Sequence, residues 1–115
     1  MQEAPFHVTS KALKHIRKWS RARPGMQACL QIAYGAEEYD EAGHLTAKFE
    51  GEHFVVGYHY ASKAEQWPQF LLGGRSIATH PDTLDRLRGK TLTLRKLDLD
   101  PDSAPHVFRE ILVIA

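Results

Sequence analysis

The stretch His80-Pro81-Asp82-Thr83-Leu84-Asp85-Arg86-Leu87-Arg88-Gly89 carries the start and stop signals of one short helix. Its proline stands at the first helical position, its acids come early, its arginines come late and its glycine follows the end. Proline is tolerated in the first turn because the N–H groups there have no partner inside the helix, and acids before arginines suit the direction of the helix dipole. The stretch therefore predicts a short helix near residues 81–88.

Strand-like segments lie on both sides of this predicted helix. Just before it, Gly73-Gly74 separates Phe70-Leu71-Leu72 from the segment at residues 75–79, and two glycines between apolar runs are typical of a hairpin. Gly35 is predicted to end the first of the remaining strands. Those strands are predicted from alternating apolar and polar residues at positions 26–34, 53–60, 90–99 and 107–115.

An amphipathic helix is predicted near the start of the chain, at residues 11–21. Thr9 or Ser10 supplies its N-cap hydroxyl, and Pro24 follows its end. The apolar face consists of Ala12, Leu13, Ile16 and Ser20, with Trp19 at its margin. The basic face consists of Lys11, Lys14, Lys18 and Arg21. We expect the first face to pack and the second to meet solvent.

The order of these segments indicates an α+β fold: a mixed or antiparallel sheet with an N-terminal helix and one short later helix at its margin. A chain of 115 residues has the size of one domain, so residues 1–115 are treated as a single domain. No apolar run approaches the roughly 18 residues that span a bilayer, and the N-terminus lacks the features of a signal peptide. We expect a cytoplasmic protein without membrane contact.

Charge is nearly balanced overall but unevenly distributed. The formal net charge of +1 argues against a protein that coats nucleic acid, because such affinity comes from neutralising phosphates. Residues 1–34 carry six Lys or Arg against one Glu, net +5, whereas residues 35–66 carry seven acids against two Lys, net −5. Either two solvated faces or a docking surface for a charged partner explains this asymmetry.

Seven histidines raise the possibility of a metal site, for which His15, His53 and His59 are the candidates. His53 and His59 share one face of a predicted strand, but six residues of strand separate them by about 20 Å, too far for one ion. The acids Glu37, Glu38, Asp40 and Glu41 could bind a hard cation, although they lack the ligand pattern of a calcium loop. A solvated acidic loop explains them better.

Cys29 is the one cysteine of the chain, so no intramolecular disulfide and no three-thiolate or four-thiolate cluster site can form. The predicted strand alternation places it opposite the apolar row. A reactive thiolate needs an electropositive, partly exposed setting, and no base lies beside it in the sequence. A packed, unreactive side chain is the simpler interpretation.

As an ordered set of elements, the chain resembles the HesB-like family of A-type iron-sulfur carriers. The resemblance rests on Val8-Thr9-Ser10-Lys11-Ala12-Leu13-Lys14-His15-Ile16, on Ala28-Cys29-Leu30-Gln31-Ile32-Ala33-Tyr34-Gly35, on Phe54-Val55-Val56, and on Ser76-Ile77-Ala78-Thr79-His80-Pro81-Asp82-Thr83-Leu84-Asp85-Arg86-Leu87-Arg88-Gly89-Lys90-Thr91-Leu92. The last segment is the most specific. It has the family's apolar strand, short helix, glycine and following strand.

The chain departs from this family where the family binds its iron or cluster. Family members use a cysteine soon after the second strand and a Cys-x-Cys pair near the C-terminus. Here the first position reads Gly35-Ala36-Glu37-Glu38, and residues 98–115 contain no cysteine. The resemblance therefore implies the family's fold without its ligands, and no bound cofactor is expected.

Three functions follow as hypotheses. The first is a non-catalytic HesB-like module, associated with iron-sulfur cluster biosynthesis, that binds a protein partner or a small ligand through Lys11, Lys14, Lys18 and Arg21 or through the acidic loop. The second is a protein that binds metal through histidines and carboxylates. The third is a small enzyme whose site combines groups such as His59, Cys29 and Glu37. The apolar strand at residues 111–115 could also pair across a homodimer.

Overall fold

The structure is a computed structural model, and it describes residues 3–39, 41–98 and 108–115. Within these residues, seven strands form one sheet and three short helices flank it. The elements are β1 (His7–Val8), α1 (Ser10–Trp19), β2 (Met26–Tyr39), β3 (Leu45–Tyr60), α2 (Ala61–Ala64), β4 (Gln69–Leu72), β5 (Arg75–Thr79), α3 (Pro81–Leu87), β6 (Thr91–Asp98) and β7 (Phe108–Ile114). The α+β class predicted from the sequence is confirmed.

The sheet has the strand order β1-β6-β7-β3-β2-β5-β4. The pairs β1–β6 and β2–β5 are parallel and the others are antiparallel, so the sheet is mixed. Strand β7 lies between β6 and β3, with Leu112 paired to both Leu94 and Phe54. Strand β7 thus has a neighbour on each side within the sheet. Pairing of residues 111–115 across a homodimer stays a prediction.

The prediction that Gly35 ends the second strand is wrong, since β2 continues to Tyr39. Gly35 has a φ of +75°, and the register with β3 shifts between Tyr34 and Ala36. A glycine in this conformation inserts a bulge into a strand that continues beyond it. The backbone of Glu37 and Glu38 is therefore strand rather than loop, and the turn lies at residues 41–43. Asp40 lies outside the described residues.

Helix α1 begins one residue before the predicted start and ends two residues before the predicted end. The hydroxyl of Thr9 accepts a hydrogen bond from the Ala12 N–H at 3.4 Å, which identifies Thr9 as the N-cap. Ala12 and Ile16 are fully buried, so the predicted inner face packs on the sheet. The chain leaves the helix at Ser20, which is also buried.

Helix α3 confirms the prediction for residues 81–88 to within one residue. His80 is the N-cap, and its Nδ1 accepts the Asp82 N–H at 3.1 Å. Gly89 has a φ of +72°, and its N–H donates to the Pro5 carbonyl. The buried side chains of the helix, Leu84 and Leu87, join the main core.

The core has two parts on opposite faces of β2. The larger part contains side chains from α1 and from several strands, including Ile16, Leu30, Phe54, Leu92 and Leu112. The smaller part contains Cys29, Ala64 and Ala78, with Trp67 packed against it. Cys29 is 0% exposed, opposite the apolar row as predicted. Among the described residues, no helix is both long and apolar enough to cross a membrane.

Candidate functional site

The basic face of α1 forms one wall of a groove of about 380 Å³. Three exposed lysines, Lys11, Lys14 and Lys18, project from this wall at spacings of three and four residues, which keeps them on one side of the helix. The opposite wall comes from β6 and β7 and contributes Lys96 and Glu110. We call this surface the lysine groove; His15 and Leu94 also line it.

Positive charge dominates the lysine groove. Glu110 is the one carboxylate among its described lining residues, and it is paired across the antiparallel strands with Lys96. Glu110 also interacts with His15 of α1, whose pKa it raises. Four lysines line the groove against this one described carboxylate, so the groove keeps an excess of positive charge.

A second depression, of about 310 Å³, continues the lysine groove along α1. His15 and Glu110 line both cavities, so the two surfaces adjoin. His53 and Trp19 contribute to the second depression, and the Trp19 side chain is 53% exposed. The Trp19 ring also lies under the Lys18 ammonium, 5.3 Å from Nζ to the ring centroid. A basic surface thus leads to an accessible aromatic ring.

Both histidines of this surface favour the neutral form. Burial lowers the pKa of His15, while Glu110 raises this pKa by a smaller amount and Lys18 lowers it. Burial also lowers the pKa of His53, against a smaller raising effect of a hydrogen bond with the Gly51 backbone. Near neutral pH the positive charge of the surface therefore comes from Lys and Arg.

Arg21 does not join the lysines of α1. Because the helix ends at Trp19, Arg21 leaves the helical face and lines a separate depression of about 270 Å³ together with Arg23 and Arg75. Ser20 and Tyr58 also line this depression, which we call the arginine pocket. The basic residues selected from the sequence are thus divided between two surfaces.

The three candidate metal ligands are not brought together. His15 and His53 line one depression, whereas the Nε2 of His59 lies 2.8 Å from the Gln31 Nε2 and the His59 ring contacts Trp67, with centroids 5.0 Å apart. His53 and His59 both lie in β3, at the spacing that argued against a shared ion. In the described parts of the chain, no group of three or more His, Cys, Asp or Glu is arranged to hold a metal ion.

Cys29 lacks the setting of a nucleophile. Its Sγ donates to the Gln27 carbonyl at 3.2 Å, and burial raises the pKa of the thiol, with a smaller lowering effect from the His59 backbone. A buried thiol with a raised pKa is mostly protonated and inaccessible. The side chain of Glu37, the third group of the enzyme hypothesis, lies outside the described residues.

The largest of the cavities described so far was not recognised in the sequence. It measures about 470 Å³ and lies beside the start of α3, where His80, Asp82, Asp85 and Arg86 meet Gln31 from β2. In the sequence, His80 and the polar residues of α3 indicated the start and the direction of a helix. Nothing in their pattern indicated that they line a pocket. The ring of Trp67 lies 4.9 Å from that of His80, which places the His59–Trp67 contact next to this cavity.

Comparison of the chain with protein-family models, with curated proteins and with solved structures finds no match. The lysine groove and the pockets must therefore be interpreted from their own geometry.

Proposed function

We propose that this protein is a non-catalytic binding module that holds an acidic segment of a partner protein in the lysine groove. The observation that carries this proposal is the row Lys11, Lys14 and Lys18, which lines a groove that also contains Lys96 and has a single described carboxylate, Glu110. A surface with such a local excess of positive charge attracts a partner of opposite charge and speeds its association.

The helix that carries the lysines is already fixed before any partner arrives. Its first turn is capped by Thr9, and Ala12 and Ile16 anchor its inner face in the core. Binding therefore need not order the backbone of this wall, which removes one cost of association. The partner segment would supply carboxylates to the lysines and an apolar side chain to the exposed Trp19 ring.

A protein partner fits this surface better than a nucleic acid. The net charge of the chain is +1, and strong binding to nucleic acid needs many neutralised phosphates. Three exposed lysines would each contribute only about 0.2–1 kcal/mol to binding, because solvent screens exposed ion pairs. We therefore expect weak, salt-sensitive and reversible binding, as in a transient complex.

The HesB-like resemblance supplies a proposal for the cellular setting of this binding. Under it, the partner would belong to iron-sulfur cluster biosynthesis, and this chain would assist without carrying a cluster. Its residues do not fit a cluster, because its single cysteine, Cys29, is fully buried and the family's ligand positions hold other residues. The support for this setting is the order of sequence segments alone.

A titration with a defined peptide tests the binding proposal. The probe is a short fluorescein-labelled peptide of glutamates around one leucine, followed by fluorescence anisotropy. We expect saturable binding that weakens steeply as salt is raised from about 50 to about 300 mM. Lys14→Glu combined with Lys18→Glu should weaken binding at least tenfold, because it replaces attraction by repulsion.

The matched control changes the same charge elsewhere. Lys63 and Lys90 are exposed and lie outside the lysine groove, so Lys63→Glu combined with Lys90→Glu alters net charge equally. The control variant should bind within about twofold of the unmodified protein, since distant charges are screened. Equal losses in the two double variants would show a general charge effect and contradict a specific groove. Tighter binding of a single-stranded DNA oligomer than of the peptide would favour a nucleic-acid partner instead.

A further inference from the structure

The arginine pocket has more hydrogen-bond donors than acceptors, and this imbalance begins at the end of α1. The single Tyr58 O–H lies within hydrogen-bond distance of two carbonyl oxygens, that of Trp19 at 3.0 Å and that of Arg21 at 2.7 Å, and it donates to one of them at a time. The Nη1 of Arg75 donates to the Ser20 carbonyl at 3.4 Å. Carbonyl groups at and just after the end of α1 are thus contacted by donors from within the protein.

Main-chain carbonyls on the strand side of the arginine pocket also have hydrogen-bond donors. The side-chain amide of Gln27 donates to the Ala28 carbonyl at 3.0 Å and to the Ser76 carbonyl at 2.8 Å. Both Gln27 and Ser76 line the arginine pocket. The main-chain acceptors on this wall therefore have donors from within the protein.

Two enclosed donors of the pocket lack acceptors. The Oγ of Ser20 and the Nε of Arg75 are buried, and neither has a hydrogen-bond partner among the described residues. Ser20 as a whole is 4% exposed and lines the pocket beside Arg75. Enclosed polar groups without partners are uncommon in folded proteins and call for a ligand or another explanation.

The charged side chains of the arginine pocket are positive, so they also favour a ligand that is an anion and a hydrogen-bond acceptor. Arg21, Arg23 and Arg75 line it, and no carboxylate does so among the described residues. Arg23 is held in place over the Tyr58 ring, with its guanidinium carbon 4.1 Å from the ring centroid. Guanidinium groups present forked N–H donors that match the oxygens of phosphate-type anions.

We propose that the arginine pocket binds a phosphate-type oxyanion, either inorganic phosphate or the phosphoryl group of a small ester. In this proposal the anion neutralises the guanidinium groups of Arg21, Arg23 and Arg75. The Arg75 and Ser20 side chains turn toward the bound anion, so that it accepts from the Arg75 Nε and the Ser20 hydroxyl. The pocket volume of about 270 Å³ is larger than the volume of several water molecules. It therefore leaves room for a small substituent on the phosphate. This site is separate from the lysine groove and does not depend on the function proposed for it.

NMR titration with inorganic phosphate tests this site in the full chain. The Arg75 Nε–H resonance of the unmodified protein should shift saturably as phosphate is added. Ser20→Ala and Arg23→Gln should each weaken phosphate binding by about tenfold, since each removes a donor to a charged ligand. Arg88→Gln is the matched control because Arg88 is exposed at the end of α3, away from the pocket, and it should change binding less than twofold.

A second titration, with phenyl phosphate, distinguishes the two sources of the anion. Equal affinity for the ester and for inorganic phosphate assigns the pocket to the bare anion, whereas tighter binding of the ester assigns it to a phosphorylated small molecule. The proposal is overturned if the Arg75 Nε–H does not shift saturably with either probe. It is also overturned if Arg88→Gln weakens binding as much as Arg23→Gln does. Because the first criterion uses unmodified protein, it does not depend on the folding of any variant.

Discussion

The hydroxyl oxygens of Thr9 and Thr93 lie 3.1 Å apart and join the first turn of α1 to β6. The same Thr9 hydroxyl caps the helix through the Ala12 N–H. One side chain thus fixes both the start of the lysine-bearing helix and its position against the strand that carries Lys96. We therefore expect this contact to help set the spacing between the two walls of the lysine groove.

Replacing Thr9 with alanine should therefore lower both stability and binding. We expect a loss of about 1 kcal/mol in the free energy of unfolding, as is typical for a lost N-cap, measured by urea denaturation. Ser10→Ala is the control, because Ser10 is exposed in the first helical position and does not cap the helix. Equal stability of the two variants would contradict the assignment of Thr9 as the cap.

The buried histidines predict a stability that depends on pH. Because burial lowers the pKa of His15 and of His53 below the ordinary value, the unfolded chain binds more protons than the folded protein just below about pH 6.5. Their contribution to stability is present above that pH and is lost as the pH falls toward the folded pKa values. The urea midpoint should drop between about pH 7.5 and about pH 5.5, and less so in His15→Gln and His53→Gln.

Trp19 is predicted to act as the apolar contact for a bound segment. Trp19→Ala should weaken the affinity for the acidic peptide several-fold, as measured by anisotropy. The free energy of unfolding should change little, because half of the Trp19 side chain is exposed. Tyr60→Ala provides a matched loss of an exposed aromatic ring, since Tyr60 is 71% exposed and lies outside the groove. If both variants bind the peptide alike, the partner does not use the Trp19 ring.

The placement of Cys29 and the histidines predicts that the protein does not retain a cluster. Untagged protein incubated anaerobically with iron and sulfide, then desalted, should hold far less than one metal per chain by elemental analysis. It should also lack the visible absorption of a cluster. Near-stoichiometric metal that is lost in His15→Gln or His53→Gln would instead support the metal-binding hypothesis and a rearranged histidine surface.

Local signals predicted α1 and α3 because the ends of these two helices depend on neighbouring residues. Pro81 and Gly89 bracket α3, and Thr9 caps α1, so short-range chemistry sets these ends. Gly35 was misjudged because a positive φ is compatible with both a turn and a bulge, and the choice is made by the partner strand β3. The parallel pairing of β2 with β5 involves distant segments and has no local signature.

The candidate site was predictable on its helical side alone. Periodicity placed Lys11, Lys14 and Lys18 on one face, and the structure brings them to one groove. Arg21 fits the same period, but the helix ends before it. Lys96 on β6 and His53 on β3 line this surface because of the order in which the strands pair in the sheet. The periodicity of a single sequence does not indicate that order.

A charge-exchange experiment shows whether an acidic segment binds against the lysines of α1. The variant carrying Lys14→Glu and Lys18→Glu is titrated with the glutamate peptide and with a peptide in which lysine replaces each glutamate. We expect the variant to lose affinity for the first peptide and to gain affinity for the second at least tenfold relative to the unmodified protein, because the two charges of α1 contact the bound segment. Unchanged affinities for both peptides would contradict the lysine groove as the binding surface.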